Sequence, residues 1–214
     1  ISDDPTSEIL RSLHNNRISC AVRGSLNSSN FLKYLGKILD ISEINRLALL
    51  ETNSGHQFFF GPVGIDECND LKSKKQFIEK AVKELGGLDI VVNNAAFQMY
   101  RESLQDISTE EWDRTFKTNI YPLFHICKAA EPHLKPGSAV INTTSVNAYN
   151  PKPTLSPYTA TKGAIQNFTA SLGQLWAEKG IRINCVAPGP IWTPLIPSTF
   201  PAEEVSKFGQ DKPL

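Results

Sequence analysis

At 214 residues the chain is long enough to bury a substantial core as one domain, or as one domain and a small extra piece. Its 22 basic residues balance 22 acidic ones, so no charge excess points to nucleic acid or an anionic membrane as partner. Cys20, Cys68, Cys127 and Cys185 are scattered without CxxC spacing, and His14, His56, His125 and His133 lack ligand spacing. Neither a metal site nor a disulfide framework is expected, and with no signal-type segment or membrane-length apolar run the expectation is a reduced, cytoplasmic protein.

In chain order, Ser2 to Thr6 reads as a turn with capping residues, and Ile9, Leu10 and Leu13 space a short helix over Ser7–His14. Ile18–Val22 reads as a strand. Arg23–Ser29 is then a small-residue loop opening a second helix, Asn30–Leu39. A strand, a glycine turn and a helix N-terminus suit an anion, but the loop has one glycine, so an ordinary turn stands beside that reading. Arg46–Glu51 and Gln57–Val63, joined by the turn Thr52–His56, predict a hairpin. Asp70–Leu85 predicts an amphipathic helix closed by Gly86 and Gly87, followed by the strand Leu88–Val92. Ser108 and Glu111 have the spacing of a reciprocal cap for a helix running to about His133, which Pro122 should break just after Asn119. Strand Ala139–Thr144, helix Tyr158–Lys179 and strand Ile181–Val186 complete an α/β alternation of doubly wound type, with a mostly parallel sheet.

The chemistry gathers in Ser145–Lys162. Tyr158 and Lys162 are four residues apart and share one helix face, and a lysine charge there should lower a phenol from its usual value near ~10 toward the working range. Tyr158 is then a general acid/base, and Ser145, delivered by a strand end, stabilises charge on the same substrate oxygen. An isolated YxxxK is equally a surface pair. Here it stands with Asn93-Asn-Ala-Ala96 after Leu88-Asp-Ile-Val-Val92, with Asn119, and with Pro188-Gly-Pro-Ile-Trp-Thr-Pro-Leu195 after the strand Ile181–Val186.

In that order and spacing the stretch from about residue 77 to residue 214 resembles the short-chain dehydrogenase/reductase family, and its Pro188–Leu195 wording is most similar to members of glucose-dehydrogenase and general-stress type. The resemblance implies a Rossmann-like fold and a catalytic tetrad of Asn119, Ser145, Tyr158 and Lys162, with Asn119 holding a water in a proton relay. It implies NAD or NADP as cofactor, bound by Lys162 and Tyr158 at the ribose, lined by Asn94 and Ala95, and held at the nicotinamide end by Pro188, Gly189, Ile191 and Thr193. It also implies a small-molecule alcohol or carbonyl substrate and a homo-oligomer.

The N-terminal part departs from that family. The pattern T-G-x-x-x-G-x-G is absent, and Gly64-Ile-Asp-Glu67 falls near the family's adenine-side aspartate in a register that does not assign Asp66 the role. Cys20–Gly24, Leu47–Glu51 and Phe58–Glu67 are similar instead to the methanogen MtxX family, related to phosphate acyltransferases. The expected organisation is an atypical α/β segment over 1–69 and a catalytic region over 70–214 with a truncated C-terminal end. The alternative function is a non-catalytic or chimeric protein without a working dinucleotide pocket, binding phosphate or acyl phosphate through its N-terminal part.

Overall fold

Asp4 starts the first helix, α1 (Pro5–His14), because its carboxylate accepts from Ser7 N at 3.1 Å and Pro5 needs no N–H partner in the first turn. The computed structural model describes residues 4–19, 28–40, 44–63 and 68–210, in two compact units, Ile1–Glu67 and Cys68–Leu214. The first unit continues with α2 (Ser28–Leu39), β1 (Ala48–Glu51) and β2 (Gln57–Phe60), the strands pairing antiparallel as the expected hairpin. Of the expected strand Ile18–Val22, Ile18 and Ser19 are in no strand. The rest of it lies outside the described residues, as do residues 23–27 of the small-residue loop and Gly64–Glu67 with Asp66.

The second unit opens with α3 (Leu71–Leu85). Asp70 and Ser73 cap each other's backbone at its start, and Gly86, at φ 83°, ends it in the left-handed region that glycine adopts without a Cβ penalty. Then follow β3 (Ile90–Asn93), α4 (Thr109–Asn119), α5 (Tyr121–Ala130), β4 (Ala139–Thr143), α6 (Ser156–Trp176), β5 (Arg182–Val186) and the short helices α7 (Leu195–Thr199) and α8 (Ala202–Ser206). The expected long helix is two: the chain breaks at Ile120, and Pro122, lacking an N–H, sits in the first turn of α5. Ser108 does cap Glu111 N, at 3.1 Å, but Glu111 does not reach back. Its carboxylate is taken by Arg101, whose Nε and Nη2 both donate to Oε2 at 2.9 and 2.5 Å, a charge-assisted pair stronger than a neutral cap.

Strands β3, β4 and β5 form one parallel sheet in that order, so all three carboxyl ends lie at one edge. Val91, Val140 and Ile183 stand side by side in register. With Cys127, Ala130 and Leu134 after β3 and Trp176 and Ile181 before β5, they make the core, while Ile90, Val92 and Val186 on the opposite face are exposed. Two residues further along the strands the buried row turns polar, to Asn93, Asn142 and Cys185. Gly180, at φ 67°, makes the turn into β5 against Pro136, where a Cβ would lie 3.1 Å from the proline Cβ. Among the described residues no helix is long and apolar enough to cross a membrane, and no group of three or more His, Cys, Asp or Glu could hold a metal ion.

Candidate active site

The carboxyl edge of the sheet gathers the residues singled out in the sequence. β3 runs into Asn94 and Ala95, β4 into Thr144 and Ser145, and β5 into Pro188. Thr143 Oγ1 donates to Asn94 Oδ1 (3.0 Å), Thr144 N to Val186 O (2.9 Å) and Val146 N to Pro188 O (3.1 Å), so the three strand ends are stitched side to side.

Helix α6 brings up Tyr158 and Lys162. Lys162 is 2% exposed; its Nζ donates to Thr143 O at 2.6 Å and stands 5.3 Å from the centre of the Tyr158 ring. Thr144 Oγ1 donates back to Lys162 O at 2.7 Å, so helix and strand end hold each other by two bonds in opposite directions. Among the described residues Thr143 O is the acceptor on Lys162 and no carboxylate pairs with it. Burial therefore lowers its pKa to about 8. Two of its three N–H donors remain for a ligand.

Ser145 is 5% exposed. Its oxygen accepts from Asn147 N at 3.1 Å, which leaves the hydroxyl proton for the Tyr158 side chain, whose pKa it acts to lower. The expected lowering of the Tyr158 phenol by Lys162 is not found. Burial raises the phenol above its ordinary value and Ser145 opposes that rise, while Lys162, lowered by burial to about 8, is neutral in the range where the phenol titrates.

Asn119, 4% exposed at the end of α4, has both side-chain polar atoms engaged. Oδ1 accepts from Phe97 N at 2.7 Å, and Nδ2 donates to Phe97 O and to Thr161 Oγ1, each at 2.9 Å. The side chain thus clamps the loop after β3 to α6. At the break the helical ladder runs from Ile120 N to Phe116 O and from Phe124 N to Ile120 O. Ala95, Gly189, Ile191 and Thr193 are exposed around this edge, and Thr193 O accepts from Ile196 N at 3.0 Å as α7 starts.

Several residues that position the site were not singled out in the sequence: Thr143, Thr144, Thr161, Phe97 and Asn142. The polar run Asn142-Thr-Thr-Ser at the end of an otherwise apolar strand, and the second threonine of Tyr158-Thr-Ala-Thr-Lys162, were the available signals.

A model of the family described as short chain dehydrogenase matches residues 42–204, more than half of the sequence. The chain belongs to the short chain dehydrogenase family. It is 58% identical over 155 residues to general stress protein 39 of Bacillus subtilis (strain 168), covering 72% of this chain and 52% of that protein. It is 48% identical over 140 residues to glucose and ribitol dehydrogenase of Daucus carota, covering 65% and 48%. The crystal structure of a short chain dehydrogenase from Burkholderia cenocepacia J2315 in complex with NADP superposes with a TM-score of 0.58 at 29% identity, covering 64% of this chain and 56% of that one. This short chain dehydrogenase chain spans about half the length of the curated relatives it matches, and its parallel sheet with Ser145, Tyr158 and Lys162 at the carboxyl edge lies within the matched residues.

Proposed function

We propose that the protein is an oxidoreductase that interconverts a hydroxyl and a carbonyl on a small molecule, using NAD or NADP and Tyr158 as general acid/base. The observation that carries the reading is the convergence, on one strand edge, of Ser145, Tyr158 and a buried Lys162 with N–H donors to spare. Ligands of parallel α/β sheets bind outside the carboxyl ends of the strands.

The donor set fits the ribose and nicotinamide half of a dinucleotide: Lys162 offers two N–H groups to ribose hydroxyls, and the exposed Asn94, Ala95, Gly189, Ile191 and Thr193, with the half-buried Pro188, border the edge. The nicotinamide supplies or accepts the hydride. Tyr158, a phenol whose pKa burial raises further above neutral, donates its proton to a substrate carbonyl oxygen on reduction and accepts one on oxidation. The Ser145 hydroxyl stabilises charge on that oxygen and on the phenolate. With the Asn119 side chain saturated by Phe97 and Thr161, a relay water held by this residue sits on its backbone carbonyl, at the break between α4 and α5.

Titration of the purified chain with NADH and with NADPH, followed by calorimetry, tests the reading together with Tyr158→Phe. Micromolar binding of one dinucleotide, with turnover lost and binding kept in the variant, is the expected result. Turnover retained in Tyr158→Phe, or no binding up to millimolar dinucleotide, overturns it.

A further inference from the structure

Residues 189–194 are exposed throughout; apart from the Trp192 ring, 6.0 Å from that of Phe208, the segment from Pro188 to Thr193 is held at its two ends. One end is the bond from Val146 N to Pro188 O. The other is α7, which begins two residues after Thr193. Helix α7 has five residues and no side-chain cap, too short to hold its place by its own hydrogen bonds. Ile196 is buried and the Phe200 ring packs 5.7 Å from that of Tyr100, and the polar attachment is made by the helix's last residue, Thr199. Thr199 is 8% exposed, and its Oγ1 donates to Leu195 O (2.6 Å) and accepts from Gln98 Nε2 (3.1 Å), while its carbonyl accepts from Tyr100 N (3.1 Å). Gln98 is 4% exposed and follows Phe97, whose N–H and carbonyl are both bound by the Asn119 side chain.

We propose that Gln98 is a positioning residue that fastens α7, and through it the Pro188–Thr193 segment, to the loop that Asn119 clamps beside the Tyr158 helix. The proposal rests on the oxidoreductase reading for its effect on turnover, and on geometry alone for its effect on α7. A buried amide donor left without its partner costs free energy, so the bond to Thr199 favours one docked position for α7. Tyr100 N on the Thr199 carbonyl anchors the same residue from the main chain and survives side-chain substitution. Loss of the Gln98 bond should therefore loosen α7 without unfolding the unit.

The test uses the full chain with Gln98→Met, which keeps volume and removes the donor, Thr199→Val, which removes the acceptor, and Thr199→Ser, which keeps it. Amide hydrogen exchange across residues 195–200 is the readout independent of turnover. We expect exchange there to rise about tenfold in Gln98→Met and Thr199→Val, with no further rise in the double variant and near wild-type exchange in Thr199→Ser. The dinucleotide KM should rise several-fold in the first two with kcat much less affected. Unchanged exchange at 195–200 in Gln98→Met, additive effects in the double variant, or Thr199→Ser behaving like Thr199→Val would each overturn the clasp. If the wild-type chain binds no dinucleotide while the variants loosen α7 as expected, the oxidoreductase reading falls and the clasp stands.

Discussion

Replacing Lys162 by methionine should make the protein's stability less dependent on alkaline pH. Lys162 is 2% exposed, has no carboxylate partner among the described residues, and burial lowers its pKa to about 8 in the folded protein from the ordinary lysine value of 10.5. Its folded pKa is depressed, so between those values the unfolded chain binds more protons than the folded one, and stability rises with pH across that window. One pKa unit corresponds to about 1.36 kcal/mol, so below pH 8 the buried ammonium destabilises the fold by about 3 kcal/mol, as an order of magnitude. Methionine does not titrate. The stability of wild type relative to Lys162→Met should therefore climb by about 2–3 kcal/mol from about pH 7 to about pH 10, since other groups are common to both proteins and cancel in the difference. Losing the bond to Thr143 O shifts the whole difference by about 1–3 kcal/mol and leaves its pH dependence in place. Urea denaturation followed by far-ultraviolet circular dichroism at a series of pH values measures it. Parallel stability curves for the two proteins would refute the burial argument. A rising difference would identify Lys162 as a residue held at a cost in stability, as a binding site requires and a structural lysine does not.

Ser145→Ala removes the hydrogen bond that opposes the rise of the Tyr158 pKa, so the alkaline rise of the oxidation rate should move to higher pH while kcat falls by about 10²–10³; an unmoved pH–rate profile would separate Ser145 from the phenol. Gly173→Ala places a Cβ 3.1 Å from Ile183 Cγ2 and 3.7 Å from Ile183 O, where α6 crosses β5. Overpacking there should cost about 1–3 kcal/mol by chemical denaturation and be partly recovered by a second change, Ile183→Val. Asn142→Leu breaks the bonds from Asn93 Nδ2 and to Thr169 Oγ1, both 2.9 Å, at a site with no exposure. The loss should be on the order of 2–4 kcal/mol in urea, because two buried hydrogen bonds go at once, although Thr169 Oγ1 keeps its bond to Ile165 O and Asn93 Nδ2 its weak one to Cys127 Sγ.

The elements of the second unit were legible because their signals are local. Asp70 and Gly86 mark both ends of α3, Ser108 caps α4, and Pro122 forces a new first turn after Ile120, each acting within a few residues of its position. A short apolar run after a turn marked β4, and the strand-like Ile181–Val186 marked β5, for the same reason. Long-range partners were not legible. Glu111 has the spacing to reach back to Ser108, yet Arg101, ten residues earlier, offers two charged donors and takes the carboxylate. Asn119 was readable as a polar residue near a helix break, but only the packed chain shows Phe97 and Thr161 filling its side chain. The Tyr158 and Lys162 spacing gave their shared face correctly. It could not give their depth, and depth reverses the direction of the tyrosine shift.

That depth has a structural origin in the face α6 turns inward. Its buried residues are Pro157, Thr161, Lys162, Ile165, Thr169 and Trp176, a face as polar as it is apolar. Apolar packing tolerates small rotations of a helix about its axis; hydrogen bonds at fixed lengths do not. Asn142 Nδ2 donates to Thr169, Asn119 Nδ2 to Thr161 and Thr144 Oγ1 to Lys162 O, three bonds spread over two turns of α6, two from β4 and its continuation and one from α4. Turning the helix by one residue, about 100°, would break all three and carry Lys162 away from Thr143. The polar row Asn93–Asn142–Thr169 beneath the site therefore sets the rotation of α6, and with it the direction in which Tyr158 and Lys162 face, as the apolar row Val91–Val140–Ile183 could not.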